Sequence, residues 1–214
     1  MKLIISFFGI LFILASFSWK SIDELNISVE DDSWKLRKDK NGIKVYTRDR
    51  NNSGILEYKA NTIIETDIDQ LIIIINDVER YPSWMANCKS AEKFKSLSDS
   101  SRIEYMTTSV PWPLSDRDVA FEFVISIKTD NYFEANLKAV PKALPEKEKF
   151  VRIRNSEGSW IFNIIDGGKV EIIHQFYGDP EGNIPNWIIN MFIVNGPYKT
   201  LLNLKNLCNP VERE

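Results

Sequence analysis

The sequence predicts an α+β fold in which a curved antiparallel β-sheet wraps around a long C-terminal α-helix. Segments that alternate like strands, divided by short polar turns, fill most of the chain between residues 43 and 178. Two short helical patterns interrupt them early, at 68–77 and 81–85, and an apolar pattern at three-and-four spacing closes the chain. A helix with a wide apolar face needs a concave surface to cover it, so the strands are expected to curve around that last helix.

The first two predicted strands form a hairpin. Residues 34–42 lead into it, and the turn Asn41–Gly42 precedes the alternating strand Ile43–Arg48. The loop Asn51–Gly54 then turns the chain into a second strand, Ile55–Ile64. Two adjacent strands joined by a short loop that contains glycine are typical of a β-hairpin.

The period then changes from two to about 3.6. Asp67 is the candidate N-cap of the first short helix, and Pro82 lies in the first turn of the second, where proline is tolerated. Serine-, asparagine-, aspartate- and glycine-containing turns separate the strands that follow. These strands are predicted at 91–97, 102–110, 117–128, 131–140, 149–154, 157–165 and 169–178.

The C-terminal helix begins after a turn at Asp179–Gly182, with Pro185 in its first turn. Gly196–Pro197 predicts a kink within it, because proline lacks the amide that the helical ladder needs. Its apolar face consists of Ile184, Trp187, Ile188, Met191, Phe192, Tyr198, Leu201, Leu202 and Leu204.

Length and composition limit the function classes. A chain of 214 residues fits one domain with a full core, which we place at 34–208. Its formal charge of -3 argues against a nucleic-acid partner, and its single histidine excludes a multi-histidine metal site. Cys88 and Cys208 lack metal-ligand spacing, so they are either buried small hydrophobes or, in an oxidising compartment, a disulfide.

The N-terminus has the pattern of a secretory signal. Lys2 precedes the apolar run Leu3–Phe17, which is short for a transmembrane helix of roughly 20 residues. We therefore predict a signal peptide or an uncleaved membrane anchor at 1–18, a linker at 19–33 and a tail at 209–214. The protein is expected to be exported, either periplasmic or secreted, or to be tethered to a membrane by that first segment.

Strand parity predicts which side chains face the helix. On 117–128 the odd positions Val119, Phe121, Phe123, Ile125 and Ile127 are apolar, and Arg117 shares their face. A cation near the interior either meets a carboxylate or carbonyl groups nearby, or contacts a polar group of a ligand. Trp160 and Phe162 also share a face. Both faces of the strand 169–178 are partly apolar, so the pattern leaves open whether His174 or the pair Gln175 and Tyr177 points inward.

Catalytic motifs are missing from the sequence. His174 has no serine or cysteine partner nearby, and the chain contains no nucleophile elbow, phosphate-binding glycine loop or dinucleotide fingerprint. No cofactor, metal site or catalytic residue is therefore predicted. The balance of these observations favours a binding protein over an enzyme.

Four segments resemble one family. Val110-Pro-Trp-Pro-Leu-Ser-Asp-Arg-Asp-Val119 resembles the "P-x-P-[LM]-S-x-R-D" segment of StAR-related lipid-transfer (START) domains. Gly178–Asn190 resembles the family's "P-G-G-x-I-P-x-W-[LI]-[IV]-N" segment, with Glu181 in place of the first glycine. Gly42–Arg48 and Asp77–Trp84 are similar to two further stretches, in the same order. The resemblance covers roughly residues 30–208 and implies a helix-grip fold.

The resemblance also implies a function, namely binding and transfer of one lipid or sterol-like molecule in a hydrophobic cavity closed by the C-terminal helix. The implied partners are a hydrophobic small molecule and, transiently, a membrane. The candidate ligand-binding residues are Arg117, Asp118, Val119, Phe121, Phe123, Tyr105, Trp112, Trp160, Phe162, Gln175, Tyr177, Trp187 and Met191.

Two alternatives stay open. The wider helix-grip superfamily includes aromatase/cyclase-type enzymes that act on polyketide-like substrates. Such an enzyme would need Arg117, His174, and Tyr105 or Tyr177 around a smaller and more polar pocket. The third possibility is a structural surface domain with a filled core.

Overall fold

The computed structural model describes residues 33–50, 55–182, 184–185, 188–189 and 191–208, apart from the side chains of Asp166 and Met191. Several predictions fall outside these ranges: the signal or anchor at 1–18, almost all of the linker at 19–33, Trp187 and the tail at 209–214. In the described ranges, none of the helices has both the length and the apolar character that crossing a membrane requires.

Ten strands form a single sheet. From edge to edge the order is β1-β2-β3-β10-β9-β7-β6-β5-β4, and the two-residue strand β8 pairs in parallel with β6. All other pairings of these strands are antiparallel. The bounds are β1 Lys35–Lys40, β2 Ile43–Asp49, β3 Leu56–Glu65, β4 Cys88–Ser96, β5 Ser101–Thr108, β6 Arg117–Lys128, β7 Tyr132–Ala139, β8 Val151–Arg152, β9 Ser156–Asp166 and β10 Lys169–Gly178.

The helices follow the predicted order. The carboxylate of Asp67 caps α1 by accepting a hydrogen bond from the Asp69 amide at 2.9 Å. The predicted fold, a curved antiparallel sheet with two short helices after the first strands and a helix at the C-terminus, is confirmed. The bounds are α1 Ile68–Asn76, a 3₁₀ turn Val78–Arg80, α2 Tyr81–Trp84, a π-helical segment Met191–Asn195 and α3 Gly196–Cys208.

The N-terminal edge of the sheet differs from the prediction, because β1 is a strand where only a lead-in was expected. Asn41 and Gly42 both have positive φ, 57° and 71°, which suits a two-residue hairpin turn. That turn folds β1 back onto β2, with Lys40 opposite Ile43.

The strand β8 also differs from the prediction, because it has two residues where a strand was predicted at 149–154.

The C-terminal helix changes type along its length. Residues 188–189 are α-helical, the π-helical segment Met191–Asn195 follows, and the regular α-helix α3 starts at Gly196. The boundary falls at Gly196–Pro197, where the missing proline amide interrupts the ladder of hydrogen bonds. The sequence predicted a kink at this position, and the structure places the change of helix type there.

Side-chain hydrogen bonds fix α3 to its neighbours at several points along the helix. Thr200 Oγ1 accepts from the Ala86 amide at 3.0 Å, and Asn203 Nδ2 donates to the Trp84 carbonyl at 2.9 Å. At the other side, Asn41 Nδ2 donates to the Tyr198 hydroxyl at 2.9 Å. The helix is therefore tied both to α2 and to the β1–β2 turn.

The inner face of the sheet carries the core. On β6 the odd side chains Val119, Phe121 and Phe123 are buried, as parity predicted. Ile127 is a correction to that prediction: it is 46% exposed, because the pairing of β6 with β7 shifts between Ile125 and Ile127. On β10 the even positions, including His174, belong to the core, which decides the orientation that the sequence left open.

Candidate ligand-binding site

The inner face is lined by aromatic rings from neighbouring strands. Phe123 on β6, Phe133 on β7, and Trp160 and Phe162 on β9 are almost completely buried. The rings of Phe133 and Phe162 stack with their centroids 5.3 Å apart. They meet because alternate residues of adjacent strands point to one side of the sheet. The result is an apolar surface on the inner face of the sheet.

His174 belongs to this aromatic surface. Its ring stacks on Trp160 with a centroid distance of 3.7 Å and an interplanar angle of 5°. Nδ1 lies 3.3 Å from the Tyr58 hydroxyl. Burial lowers the pKa of His174 to about 3 and raises the pKa of Tyr58 above its ordinary value. Both groups are therefore neutral near pH 7, and His174 holds a proton only weakly.

A charged pair lies on the same face, at β5. Arg102 Nε donates to Glu104 Oε1 at 2.7 Å, and Glu104 is 0% exposed. The guanidinium also donates to Asn76 Oδ1 at 2.7 Å and to the Ile75 carbonyl at 3.1 Å. It lies over the Phe123 ring, with Cζ 3.8 Å from the centroid. The end of α1 and the aromatic surface thus hold Arg102 in place.

One oxygen of the Glu104 carboxylate differs from the other in its hydrogen bonding. Glu104 Oε2 is buried and has no hydrogen-bond partner among the described residues. Burial raises the pKa of Glu104 above its ordinary value, and the nearby Arg102 opposes that rise. A buried acceptor that stays unpaired costs about 1–3 kcal/mol, so a donor supplied by a ligand would relieve it.

A buried donor also lacks a partner. Trp84 Nε1 has none in the described part of the chain, and the Trp84 ring lies between Tyr81 and Trp160 at centroid distances of 5.5 and 6.0 Å. The Tyr81 hydroxyl donates to the Ile75 carbonyl at 2.6 Å and lies 3.3 Å from Glu104 Oε1. Tyr81 therefore contacts both the residue with the open donor and the residue with the open acceptor.

The opposite face of the sheet carries a second buried pair that is fully matched. Asp118 Oδ1 accepts from Arg152 Nε at 2.9 Å, and Oδ2 accepts from Arg152 Nη2 and the Tyr105 hydroxyl, each at 2.8 Å. Burial alone would raise the pKa of Asp118, but the hydrogen bonds from Arg152 and Tyr105 outweigh it and lower the pKa. The remaining Arg152 donors reach carbonyls of Pro141, Leu144 and Pro145.

Arg117 lies at the end of β6, between two loops. Its guanidinium donates to the carbonyls of Ser115 at 2.5 Å, Pro180 at 3.3 Å and Glu181 at 3.2 Å. Burial lowers the pKa of Arg117. The sequence left open whether this cation meets nearby protein groups or a polar group of a ligand, and the structure shows contacts with nearby carbonyls. These contacts join the β5–β6 loop to the turn that precedes the C-terminal helix.

The predicted site residues are divided among several places. Trp112 stands on the β5–β6 loop and is 91% exposed. Trp187 and the side chain of Met191 lie outside the described residues, although the Met191 backbone begins the π-helical segment. Arg117 lies at the end of β6. Val119, Phe121, Phe123, Trp160 and Phe162 share the inner face, whereas Tyr105, Asp118, Gln175 and Tyr177 lie on the outer face.

Sequence reasoning did not single out Arg102, Glu104, Tyr58 or Trp84. A signal for the charged pair was present, because Arg102 and Glu104 have the same parity as Met106, which faces the core. The remaining contacts join β5 to α1 and α2, and no local pattern predicts which residues of different elements meet.

Cys88 and Cys208 form no disulfide in the structure, which answers the alternative that the sequence left open. Burial raises the pKa of Cys88 to about 11 and also raises the pKa of Cys208. Each side chain is half-buried against the core, which matches the alternative prediction of small hydrophobic residues.

These features define a helix-grip domain with an aromatic inner surface, which contains two buried polar atoms that have no hydrogen-bond partner among the described residues. The START domain model matches residues 20–209, and the chain belongs to the START domain family. The resemblance seen in the sequence is thereby confirmed.

Relatives and solved structures agree with this assignment. An uncharacterized protein of Pseudomonas aeruginosa is 30% identical over 181 residues, which cover 85% of this chain and 88% of that protein. The phosphatidylcholine transfer protein of Rattus norvegicus is 26% identical over 182 residues, 82% of this chain and 83% of that protein.

Two solved structures extend the comparison. The crystal structure of a STAR-related lipid transfer protein fragment from Xanthomonas axonopodis matches with a TM-score of 0.75 and 30% identity, covering 83% of this chain and 99% of the fragment. Human StAR-related lipid transfer protein 5 matches with a TM-score of 0.73 and 19% identity, covering 84% and 88%, and at that identity the likeness concerns the fold.

Proposed function

We propose that the protein binds a single lipid between the inner face of the sheet and the C-terminal helix, and transfers it between membranes. Family membership supports lipid binding in general. The observation that carries the proposal for this chain is the unpaired Glu104 Oε2, a buried acceptor beside an aromatic surface. α3 packs on the same core, where Tyr198, Leu201 and Leu204 are buried and the helix contacts β2, β3 and α2.

The two parts of the site would do different work. The aromatic surface binds the apolar body of the lipid without selecting its polar end, at about 25 cal/mol per Å² removed from water. Glu104 selects a polar end that carries a hydrogen-bond donor, such as a hydroxyl group. A lipid without a donor would leave the acceptor unpaired, at about 1–3 kcal/mol.

The same geometry supports a non-enzymatic role. His174, one base that an aromatase/cyclase-type reaction would use, is stacked on Trp160 and has a pKa of about 3. Tyr105 and Tyr177, the other candidates, lie on the opposite face of the sheet from that histidine. The Rattus norvegicus relative and the Xanthomonas axonopodis fragment are both named as lipid transfer proteins. We therefore do not propose the enzymatic alternative.

Native mass spectrometry of the purified protein tests the proposal. We expect a one-to-one adduct of lipid mass, and preference for a sterol or diacylglycerol over phosphatidylcholine, which lacks a hydroxyl or N–H donor. Glu104→Gln should lower that preference by about tenfold, because one carboxylate oxygen becomes an amide NH2 group, and the remaining oxygen can accept either from Arg102 or from the lipid. Glu122→Gln, on the outer face of β6, serves as the control.

A protein that binds none of these lipids would overturn the proposed function. A Glu104→Gln variant that keeps the wild-type preference would overturn the role of that carboxylate.

We further propose that Trp112 contacts the membrane during transfer. It is 91% exposed on the β5–β6 loop, and tryptophan favours the interface between hydrocarbon and water. Trp112→Ala should slow transfer of a fluorescent lipid between vesicles severalfold and leave lipid occupancy unchanged. Ile73→Ser, which removes another exposed apolar side chain, is the matched control. Equal transfer rates in both variants would contradict the proposal.

Export remains part of the proposal. The basic and apolar start of the chain supports a signal or anchor at 1–18. Cell fractionation with N-terminal sequencing should find the domain outside the cytoplasm, either shortened near residue 18 or attached to membranes. An intact protein in the cytoplasmic fraction would contradict it.

A further inference from the structure

The outer face of the sheet carries a groove that is separate from the proposed lipid site. Its larger lobe has a volume of about 500 Å³ and lies between the β4–β5 edge and the segment 147–150. A smaller lobe of about 200 Å³ adjoins it. The two lobes share Ser90, Thr107, Lys149 and Phe150. This combined size suits a small molecule.

The groove is held in shape by main-chain hydrogen bonds. The Phe150 amide donates to the Lys147 carbonyl at 3.0 Å, and the Val151 amide donates to the Asp116 carbonyl at 3.0 Å. One wall is thereby fixed to the start of β6, while strands β4 and β5 form the other. The backbone that carries Lys147 and Lys149 is therefore in place before any ligand arrives.

Three lysines line the groove, and two of them have no carboxylate partner within salt-bridge distance in the described part of the chain. Lys147 Nζ lies 4.3 Å from the centroid of the Tyr105 ring, and Lys149 Nζ lies 5.0 Å from that of Phe150. The third, Lys89, pairs with Asp116 at 2.8 Å. Cations that rest on aromatic rings keep N–H donors free for an anion.

The larger lobe keeps a net positive charge even when the acidic groups of the groove are counted. Asp116 accepts from Lys89 Nζ and from the Val110 amide, and these hydrogen bonds lower its pKa. Glu92 lines only the smaller lobe. An anion is therefore favoured in the larger lobe, near Lys149.

Hydroxyl groups add directed donors at the floor. Ser90 Oγ and Thr107 Oγ1 lie 2.6 Å apart, so one hydroxyl donates to the other and the second keeps its proton available. An ammonium beside a free hydroxyl suits a phosphate, whose several oxygens accept from both. The Phe150 ring next to it suits the carbon skeleton of an organic phosphate.

We propose that this groove binds a phosphate ester, with Lys149 and the Ser90–Thr107 hydroxyl pair as its main contacts. The phosphate comes either from a soluble organic phosphate or from the head group of a membrane phospholipid. The site is independent of the lipid proposed for the inner face, because it lies on the other side of the sheet.

The test for a soluble source is a titration of ¹⁵N-labelled protein with inorganic phosphate and with glycerol 3-phosphate, followed by NMR. We expect saturable shifts at the amides of 89–90, 107 and 149–150. Lys149→Ala should weaken binding about three- to tenfold, in keeping with the loss of one partly exposed charged hydrogen bond. Lys169→Ala, which removes the same charge at the start of β10, should leave binding unchanged.

A second arm measures co-sedimentation with vesicles of phosphatidylglycerol and of phosphatidylcholine. Binding to phosphatidylglycerol vesicles that depends on Lys149 assigns the phosphate to a head group, whereas saturable shifts with glycerol 3-phosphate alone assign it to a soluble ligand. Binding in neither arm, or an equal loss in Lys149→Ala and Lys169→Ala, overturns the proposal. Native mass spectrometry of Lys149→Ala should still show the lipid adduct, so failure here is distinguishable from failure of the proposed function.

Discussion

Two buried arginine–carboxylate pairs lie on opposite faces of the same sheet, and they differ in one oxygen. On the outer face, both oxygens of Asp118 accept hydrogen bonds from Arg152, and Tyr105 adds a third. On the inner face, Arg102 and Tyr81 both lie at Glu104 Oε1, while Oε2 is unpaired among the described residues.

The difference follows from what covers each face. The outer pair lies beneath the polar segment 141–147, whose carbonyls accept the remaining donors of Arg152. The inner pair lies against the Phe123 ring, which offers no donor, and the Tyr81 hydroxyl lies at Oε1 and not at Oε2. A matched buried pair needs no further partner, whereas the open acceptor of the inner pair is the contact that we propose for a ligand.

The pKa directions agree with this contrast. The pKa of Asp118 is lowered, so folding favours its charged form, and the pKa of Glu104 is raised, so folding favours its neutral form. Replacing each carboxylate by its neutral amide should therefore have opposite consequences. The following predictions use that pairing.

The largest effect is expected from Asp118→Asn. The side chains of Asp118 and Arg152 are each 1% exposed, and removing one partner of such a pair leaves an uncompensated buried charge. We expect the free energy of unfolding in urea to fall by about 3–5 kcal/mol. The lipid occupancy of the folded fraction should stay at the wild-type level. A loss below about 1 kcal/mol would remove the distinction between the two faces.

Glu104→Gln should reverse the pattern. Burial raises the pKa of Glu104, so its charge is less favourable in the folded state than that of Asp118, and the glutamine oxygen can still accept from Arg102. The free energy of unfolding should therefore fall by no more than about 1.5 kcal/mol. The preference for lipids with a hydroxyl group should fall about tenfold. Urea unfolding and lipid competition on the same preparation measure both quantities. A destabilisation as large as that of Asp118→Asn would show that the inner pair is structural as well.

The pH dependence of stability should separate the two carboxylates. The contribution of Asp118 is complete above its ordinary pKa and is lost as pH falls through its lowered pKa in the folded state. The contribution of Glu104 is present below its ordinary pKa and is lost as pH rises through its raised pKa in the folded state.

Thermal unfolding of the wild type and both amide variants from about pH 3 to pH 8 measures this difference. The gap in midpoint between wild type and Asp118→Asn should shrink towards low pH. At low pH, the unfolding midpoint of the wild type should rise relative to that of Glu104→Gln. Parallel curves for both variants would contradict the assignment.

The smallest effect is expected from Tyr105→Phe. Its hydroxyl is one of three donors to Asp118, so the variant should lose about 1 kcal/mol of unfolding free energy and no lipid binding. Tyr81→Phe is the matched change on the inner face, where the hydroxyl donates to the Ile75 carbonyl. A larger loss of lipid binding in Tyr105→Phe than in Tyr81→Phe would indicate a lipid site on the outer face of the sheet and would contradict the proposed site on the inner face.

Much of the fold could be predicted from the sequence because its signals are local. The alternation of β6 identified the inner face of that strand, and the spacing of the last segment identified the helix that the sheet surrounds. The edge strand β1 was missed because its charged residues show no clean alternation. The shift at Ile125–Ile127 was missed because a bulge belongs to a pair of strands.

The site was less predictable, for a physical reason. Parity already placed Asp118 on the other side of β6 from Phe121, but the motif grouped Asp118 with Arg117 as a ligand contact. Glu104 Oε1 lies near the Tyr81 hydroxyl, which itself donates to a carbonyl of α1. These groups come close only when the helices cover the sheet. Which oxygen of a carboxylate stays unpaired is decided by that packing.

A crystal structure of the lipid-loaded protein tests the central contrast most directly. The account predicts a hydroxyl or other donor of the lipid within about 3.2 Å of Glu104 Oε2, with both oxygens of Asp118 still bonded to Arg152 and Tyr105. A lipid whose polar end lies elsewhere, with Glu104 Oε2 still unpaired, would contradict it.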